Sequence, residues 1–171
     1  MADGTLTLVP VEEYLHSTYK PSADYLDGVL RSKPMPTRKH SLIQLRLGSL
    51  LLQIPGFEAS SELTVRIRDG RFLVPDLAVQ DAADIQDPYP TRPVALCVEI
   101  LSPDDRFSET LAKCDEYIDW GVPVTWIIDP ENRRAWHYAG KFPEEVAAGG
   151  TLTAPSGLLV PLAQVFSVLD R

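Results

Sequence analysis

Apolar positions along this chain follow two rhythms, one helical and one strand-like. Ile43, Leu47, Leu50, Leu51 and Ile54 repeat at three- and four-residue spacing, which predicts a helix from the capping residue Thr37 to about Ile54. Val11, Tyr14 and Leu15 share one side of a shorter helix over Val11–Ser17. A third helix runs from about Phe107 to Trp120 and is ended by Gly121. Near the end, Leu162–Val168 reads as a docking helix.

Between these lie strand patterns. Asp27-Gly28, inside Asp24–Leu30, is a strong hairpin signal. Phe57–Arg68 alternates in part, Asp69-Gly70 turns the chain, and Phe72–Val79 returns it antiparallel. Val94–Leu101 is an almost unbroken apolar run, suited to a central strand covered on both faces. Val124–Ile128 and Arg133–Tyr138 flank a turn at Asp129–Asn132, and Leu158–Val160 is a last short strand. The order predicts an α/β (α+β) fold, a mixed sheet flanked by helices rather than a pure βα repeat.

Length and composition narrow this picture. At 171 residues one domain spanning 1–171 is expected, with ends at 1–10 and 169–171 frayed. Hydrophobic content of 44% and charged content of 23% are ordinary for a globular chain, so extensive disorder is excluded. Cys97 and Cys114 are too few for a disulfide framework and read as buried free thiols. Met1–Thr5 lacks the basic-then-apolar pattern of a leader, and the stretch around Leu45–Ile54 is too short to span a bilayer. A cytoplasmic location with no membrane partner is the simplest reading.

The formal net charge of −8 opposes sequence-blind binding to nucleic acid. Its distribution tempers that. Between Gly28 and Phe57 there is no Asp or Glu, whereas Arg31, Lys33, Arg38, Lys39 and Arg46 all fall there. This predicts a local basic surface able to contact phosphates.

Two acids carry the candidate chemistry because they interrupt apolar runs: Asp76 in Phe72–Val79 and Glu99 in Val94–Leu101. Burying a carboxylate costs several kcal/mol, roughly, unless a cation or hydrogen bonds offset it. Alone, Asp76 could bond loop amides and Glu99 could pair with an arginine. Together on neighbouring strands they could share one hard cation. Removing Asp76 should then relieve repulsion and leave the metal-free fold as stable or slightly more so. Lys113 and Tyr117, one helical turn apart on the helix after Glu99, point the same way and can face the acids. His40 lies on the inward face of the Thr37 helix, and Asp24 precedes the Asp-Gly turn.

This string of motifs resembles the Uma-two endonucleases of the PD-(D/E)XK nuclease superfamily. The resemblance rests on Pro75-Asp76 followed by Glu99-Ile100-Leu101-Ser102-Pro103. In order around them stand Asp24–Gly28, His40, Lys113, Tyr117, Gly121-Val122-Pro123, Trp126–Pro130 and the tail from Gly157-Leu158 to Phe166. It implies a restriction-endonuclease-like fold and Mg²⁺- or Mn²⁺-dependent hydrolysis of nucleic acid, DNA before RNA, with a homodimer as the form that would join two basic faces. Asp76, Glu99 and the Ile100 carbonyl would hold the metal, with Asp24, His40 and Tyr117 binding substrate or ordering water. The superfamily's Glu-x-Lys would put lysine at position 101, where this chain has Leu101, so the resemblance assigns that ammonium to Lys113. Asp24 stands where many relatives have Glu and reaches less far.

Two rival readings follow from the same residues. A non-catalytic nucleic-acid- or protein-binding module that keeps the fold is favoured by the acidic charge and the missing Glu-x-Lys. A glycoside hydrolase using Asp76 and Glu99 as acid and base is opposed by the flanking lysine and by the lack of aromatic sugar platforms.

Overall fold

The computed structural model describes residues 7–171. The expected frayed start at 1–10 lies outside the described residues up to residue 6, and so does the leader reading of Met1–Thr5. In chain order the elements are α1 (Val11–Leu15), β1 (Ala23–Leu26), β2 (Val29–Ser32), α2 (Arg38–Leu52), β3 (Phe57–Ser61), β4 (Val65–Arg68), β5 (Arg71–Leu73) and β6 (Leu77–Asp81). There follow β7 (Leu96–Ile100), α3 (Phe107–Trp120), β8 (Thr125–Asp129), β9 (Arg134–Tyr138), β10 (Glu144–Glu145), β11 (Thr151–Thr153), β12 (Leu159–Pro161) and α4 (Leu162–Phe166). A 3₁₀ turn over Ser167–Asp170 closes the chain. Leu169 packs on the core and Arg133 reaches Asp170 at 2.7 Å.

The strands form a six-stranded sheet ordered β10-β9-β8-β7-β6-β3, a four-stranded sheet ordered β2-β1-β5-β4 and the small pair β11-β12. Within the large sheet only β7 and β8 run parallel, and α3 is the crossover that joins them. The architecture is the mixed α/β arrangement that the hydrophobic rhythm predicts.

One expectation needs correcting. Phe57–Arg68 and Phe72–Val79 are not two long strands but four short ones, shared between two sheets. Glu62 takes a left-handed conformation with φ of 54°, which ends β3 before the chain enters β4. On the return, Val74-Pro75-Asp76 separates β5 from β6, because proline has no N–H to give to a ladder. Asp76 therefore sits at the crossing between the sheets rather than inside a strand.

Strand alternation then sorts β7 onto its two faces. Leu96, Val98 and Ile100 join Ile43, Leu47 and Leu51 of α2 and Val165 of α4 in the principal core. Cys97 instead packs with Tyr117 of α3, and Glu99 shares that side. Cys97 and Cys114 are both buried free thiols. Among the described residues no helix is long and apolar enough to cross a membrane.

The junction after α3 holds this arrangement in place. Gly121 has φ of 123°, and an added Cβ would meet Pro93 Cγ, just before β7, at 2.8 Å. Gly121→Ala should destabilise the fold by about 2 kcal/mol, from left-handed strain plus the clash. The expected readout is a thermal midpoint lowered by roughly 4–8 °C with an unchanged circular dichroism spectrum at low temperature. An unchanged midpoint would refute this account of the junction.

Candidate active site

Glu99 projects from β7 toward α3, whose last two turns supply its partners. The Tyr117 hydroxyl donates to Glu99 Oε1 at 2.8 Å, and Lys113 Nζ lies 3.1 Å from the same oxygen. Lys113 also donates to the Val74 carbonyl at 3.0 Å and lies 3.4 Å from Asp24 Oδ1. Asp24, on β1, accepts from the Val74 amide through Oδ1 at 2.8 Å and from Arg31 of β2 through Oδ2 at 2.8 Å. One lysine thus ties both sheets to the crossing at Val74.

Asp76 is built differently. Its Oδ2 accepts the Ile100 amide at 2.6 Å, so the end of β7 fixes the carboxylate. Its Oδ1 accepts Lys33 Nζ at 2.6 Å and lies 3.4 Å from His40 Nε2. The Asp76 carbonyl accepts from Gln44 Nε2 at 2.8 Å. His40 and Gln44 are one turn apart on α2 and face the same way. His40 Nδ1 is buried with no hydrogen-bond partner among the described residues.

Asp76, Glu99, Lys33, Lys113, His40 and Asp24 all line one cavity of about 970 Å³, open to solvent. The carboxylates are 1% and 7% exposed as residues, so each is almost wholly withdrawn from water. Burial would raise the Asp76 carboxyl, but the Lys33 ammonium and His40 outweigh it and hold that carboxyl well below the usual range. For Glu99, burial prevails over the Lys113 ammonium, Asp76 adds repulsion, and the carboxyl is pushed up. Both lysines are buried, which disfavours their charge, yet the surrounding carboxylates keep them firmly ammonium. Two acids in one cavity with opposite shifts is a pattern common at reaction centres.

Other residues singled out by sequence fall in less uniform places. Tyr117 is fully buried with its hydroxyl on Glu99, so it fixes that acid and does not itself line the cavity. Asp24 has a partner on each oxygen, the buried Val74 amide and the half-exposed Arg31 guanidinium, which makes it an anchor for both. The basic stretch is not one surface. Lys33 turns inward with a side chain only 12% exposed. Arg31 is paired with Asp24, Lys39 reaches Glu131 at 2.6 Å, and Arg46 donates to the Gln164 carbonyl at 2.9 Å. Arg38 is exposed and makes no ion pair among the described residues. Helical rotation along α2 and the fold-over of β2 disperse charges that are contiguous in sequence.

The sequence reading missed Gln44 and Glu62, both at this site. Gln44 was findable from its spacing to His40, but Glu62, 3.2 Å from Lys33 Nζ, depends on the sheet crossing.

With this geometry in view, the chain can be compared with known proteins. The model of a family named Uma2, described as "Putative restriction endonuclease", matches residues 11–163. The chain belongs to the Uma2 family. Among solved structures, this Uma2 chain is similar to one described as "a putative nuclease belonging to DUF820" from Anabaena variabilis. The TM-score is 0.80 at 24% identity, covering 94% of this chain and 99% of that one, which establishes a shared fold. A cryo-electron microscopy structure of a DrdV–DNA complex matches at TM-score 0.36 and 17% identity, over 75% of this chain and 10% of that chain, too weakly to carry an argument. No curated protein matches.

The donor set of the Uma2 site is hard oxygen, which suits Mg²⁺ or Mn²⁺. Among the described residues no three His, Cys, Asp or Glu side chains gather as a ready metal cage. A bound ion would therefore need backbone and water oxygens beside the two acids. That the acids already attract two buried ammonium groups marks the spot as one that demands positive charge.

The same pairing argues against the expectation that losing Asp76 leaves the metal-free fold as stable or more so. Asp76→Asn removes the close partner of a buried ammonium, which typically costs about 3–5 kcal/mol. Glu62 remains near Lys33 and should keep the loss at the lower end. Because the Asp76 carboxyl is depressed, its contribution is fully present above the ordinary value of 3.8 and is lost as pH falls through the lowered folded value. Urea midpoints of wild type and Asp76→Asn should therefore differ strongly at pH 7 and begin to converge only as pH falls below about 3.8 toward the lowered folded value. A variant as stable as wild type at pH 7 would restore the repulsion account.

Proposed function

We propose that this chain hydrolyses phosphodiester bonds of nucleic acid, DNA before RNA, at the Asp76–Glu99 site with Mg²⁺ or Mn²⁺. The observation that carries the reading is the pair of buried carboxylates facing one open cavity, each matched by its own lysine. Asp76, Glu99 and the Ile100 carbonyl would hold the ion. When bound, it would polarise a phosphate oxygen and acidify a water.

The chain's own residues do the remaining work. Tyr117 fixes the rotamer of Glu99 by donating to Oε1, and the Ile100 amide fixes Asp76 through Oδ2. Lys113 is held by Val74 and Glu99, while its 3.4 Å contact with Asp24 is the longest of its three. That third donor is the one free to turn toward an attacking water and toward charge developing on the phosphate. His40 stands beside Asp76 at the cavity wall, where it can orient substrate or water. Arg38, exposed at the start of α2, is the member of the basic stretch left to meet a phosphate backbone.

A second reading, a binding module that retains the fold, is favoured by one observation. Each acid already has an ammonium partner, so the site is neutralised without any ion. Activity distinguishes the two. Purified protein with Mn²⁺ should nick supercoiled plasmid, and Lys113→Met should slow this by ~10²–10³, as loss of one electrostatic group does. Glu99→Gln, which keeps the Tyr117 hydrogen bond, should abolish it. Inert protein on all DNA and RNA forms with either metal would refute the catalytic reading, as would cleavage by both variants equal to that of wild type.

A further inference from the structure

We infer that Lys33 is a tethered cation that fills the metal position on Asp76 and is displaced from it when a divalent ion binds. The inference rests on the proposed metal reading and assigns Lys33 a place in it, instead of on the nucleic-acid backbone.

The two lysines at the site are held in different ways. Lys113 rises from the middle of α3 and donates to the Val74 carbonyl, a neutral interior acceptor that anchors it whether or not the acids are otherwise engaged. Among the described residues Lys33 has no such anchor for its ammonium. Its backbone amide donates to the Ser22 carbonyl at 2.8 Å, just past the end of β2, and Pro34 and Pro36 follow it. The main chain is therefore tied down, whereas among the described residues the ammonium touches only carboxylates, Asp76 Oδ1 at 2.6 Å and Glu62 Oε1 at 3.2 Å.

Geometry at Asp76 makes the competition direct. Oδ2 is committed to the Ile100 amide, so Oδ1 is the oxygen left for an ion, and Lys33 occupies it. A divalent ion and an ammonium on one carboxylate oxygen repel strongly where water is scarce. Glu62, with a side chain 36% exposed, gives Lys33 a second berth nearer solvent. The lysine stem is flexible enough to make that move without disturbing β2. In the metal-free chain Lys33 supplies the charge that buried Asp76 requires; with metal present that charge is redundant and is released toward the rim of the cavity.

Titration with Mn²⁺ alone, followed by calorimetry, tests this in the intact protein. Lys33→Met and Lys33→Gln should each bind Mn²⁺ on the order of tenfold more tightly than wild type, because neither has a tethered charge to displace. A second readout uses wild type only and so does not depend on the variants folding. Labelling of Lys33 by an amine-reactive ester, followed by mass spectrometry, should rise several-fold at saturating Mn²⁺, while Lys113 stays protected. Equal or weaker Mn²⁺ binding by the variants, or Lys33 labelling unchanged at saturation, would overturn the inference and leave the metal reading standing. Failure of wild type and variants alike to bind Mn²⁺ would overturn both.

Discussion

Two carboxylates withdrawn from water into one cavity must be matched by positive charge, and the fold around them is arranged to deliver it. Lys33 comes from the end of β2, Lys113 from α3, Glu99 from β7 and Asp76 from the crossing between sheets. No single element carries an acid together with its ammonium. The charge balance therefore exists only when the four-stranded sheet, the six-stranded sheet and α3 are assembled. This makes the site a structural keystone as well as a candidate reaction centre, and removing one partner strands a buried charge.

The crossing at Val74-Pro75-Asp76 is what makes that assembly work. A continuous strand would have committed the neighbouring backbone groups to ladder bonds and turned successive side chains to opposite faces. The break instead frees the Val74 amide for Asp24 and the Val74 carbonyl for Lys113. It also lets the Asp76 carboxylate take the Ile100 amide at the end of β7. Irregular backbone here has its polar groups satisfied by the site's own side chains.

That division explains what sequence could and could not reveal. Asp76 and Glu99 stand out because acids are costly in apolar runs, and Lys113 with Tyr117 stands out because helical spacing puts them on one face. The long helices and the strand containing Glu99 were legible for the same reason, since each is governed by local periodicity. The split of two apparent strands into four was not, because it depends on which sheet each half joins. Lys33 was misread for a related reason. In sequence it belongs to an acid-free basic stretch, and only a contact with Asp76, 43 residues away, turns it inward. Lys39 and Arg46 were likewise dispersed by contacts with Glu131 and Gln164 far along the chain.

The same electrostatics bear on how a polyanion could approach so acidic a protein. Seven acids and four lysines or arginines line the cavity, among them Asp104, Asp105 and Glu109 at its edge. A phosphate entering the metal-free cavity would meet net negative charge, and Lys33 and Lys113, the innermost cations, are already engaged by carboxylates. A divalent ion would meet the opposite field and be drawn in. On the proposed reading, its arrival eases the repulsion in two ways, by its own charge and by moving the Lys33 ammonium off Asp76 toward the rim. Metal would then precede nucleic acid, and the acidic net charge, which looked like an argument against a phosphodiester substrate, becomes the means of ordering the two.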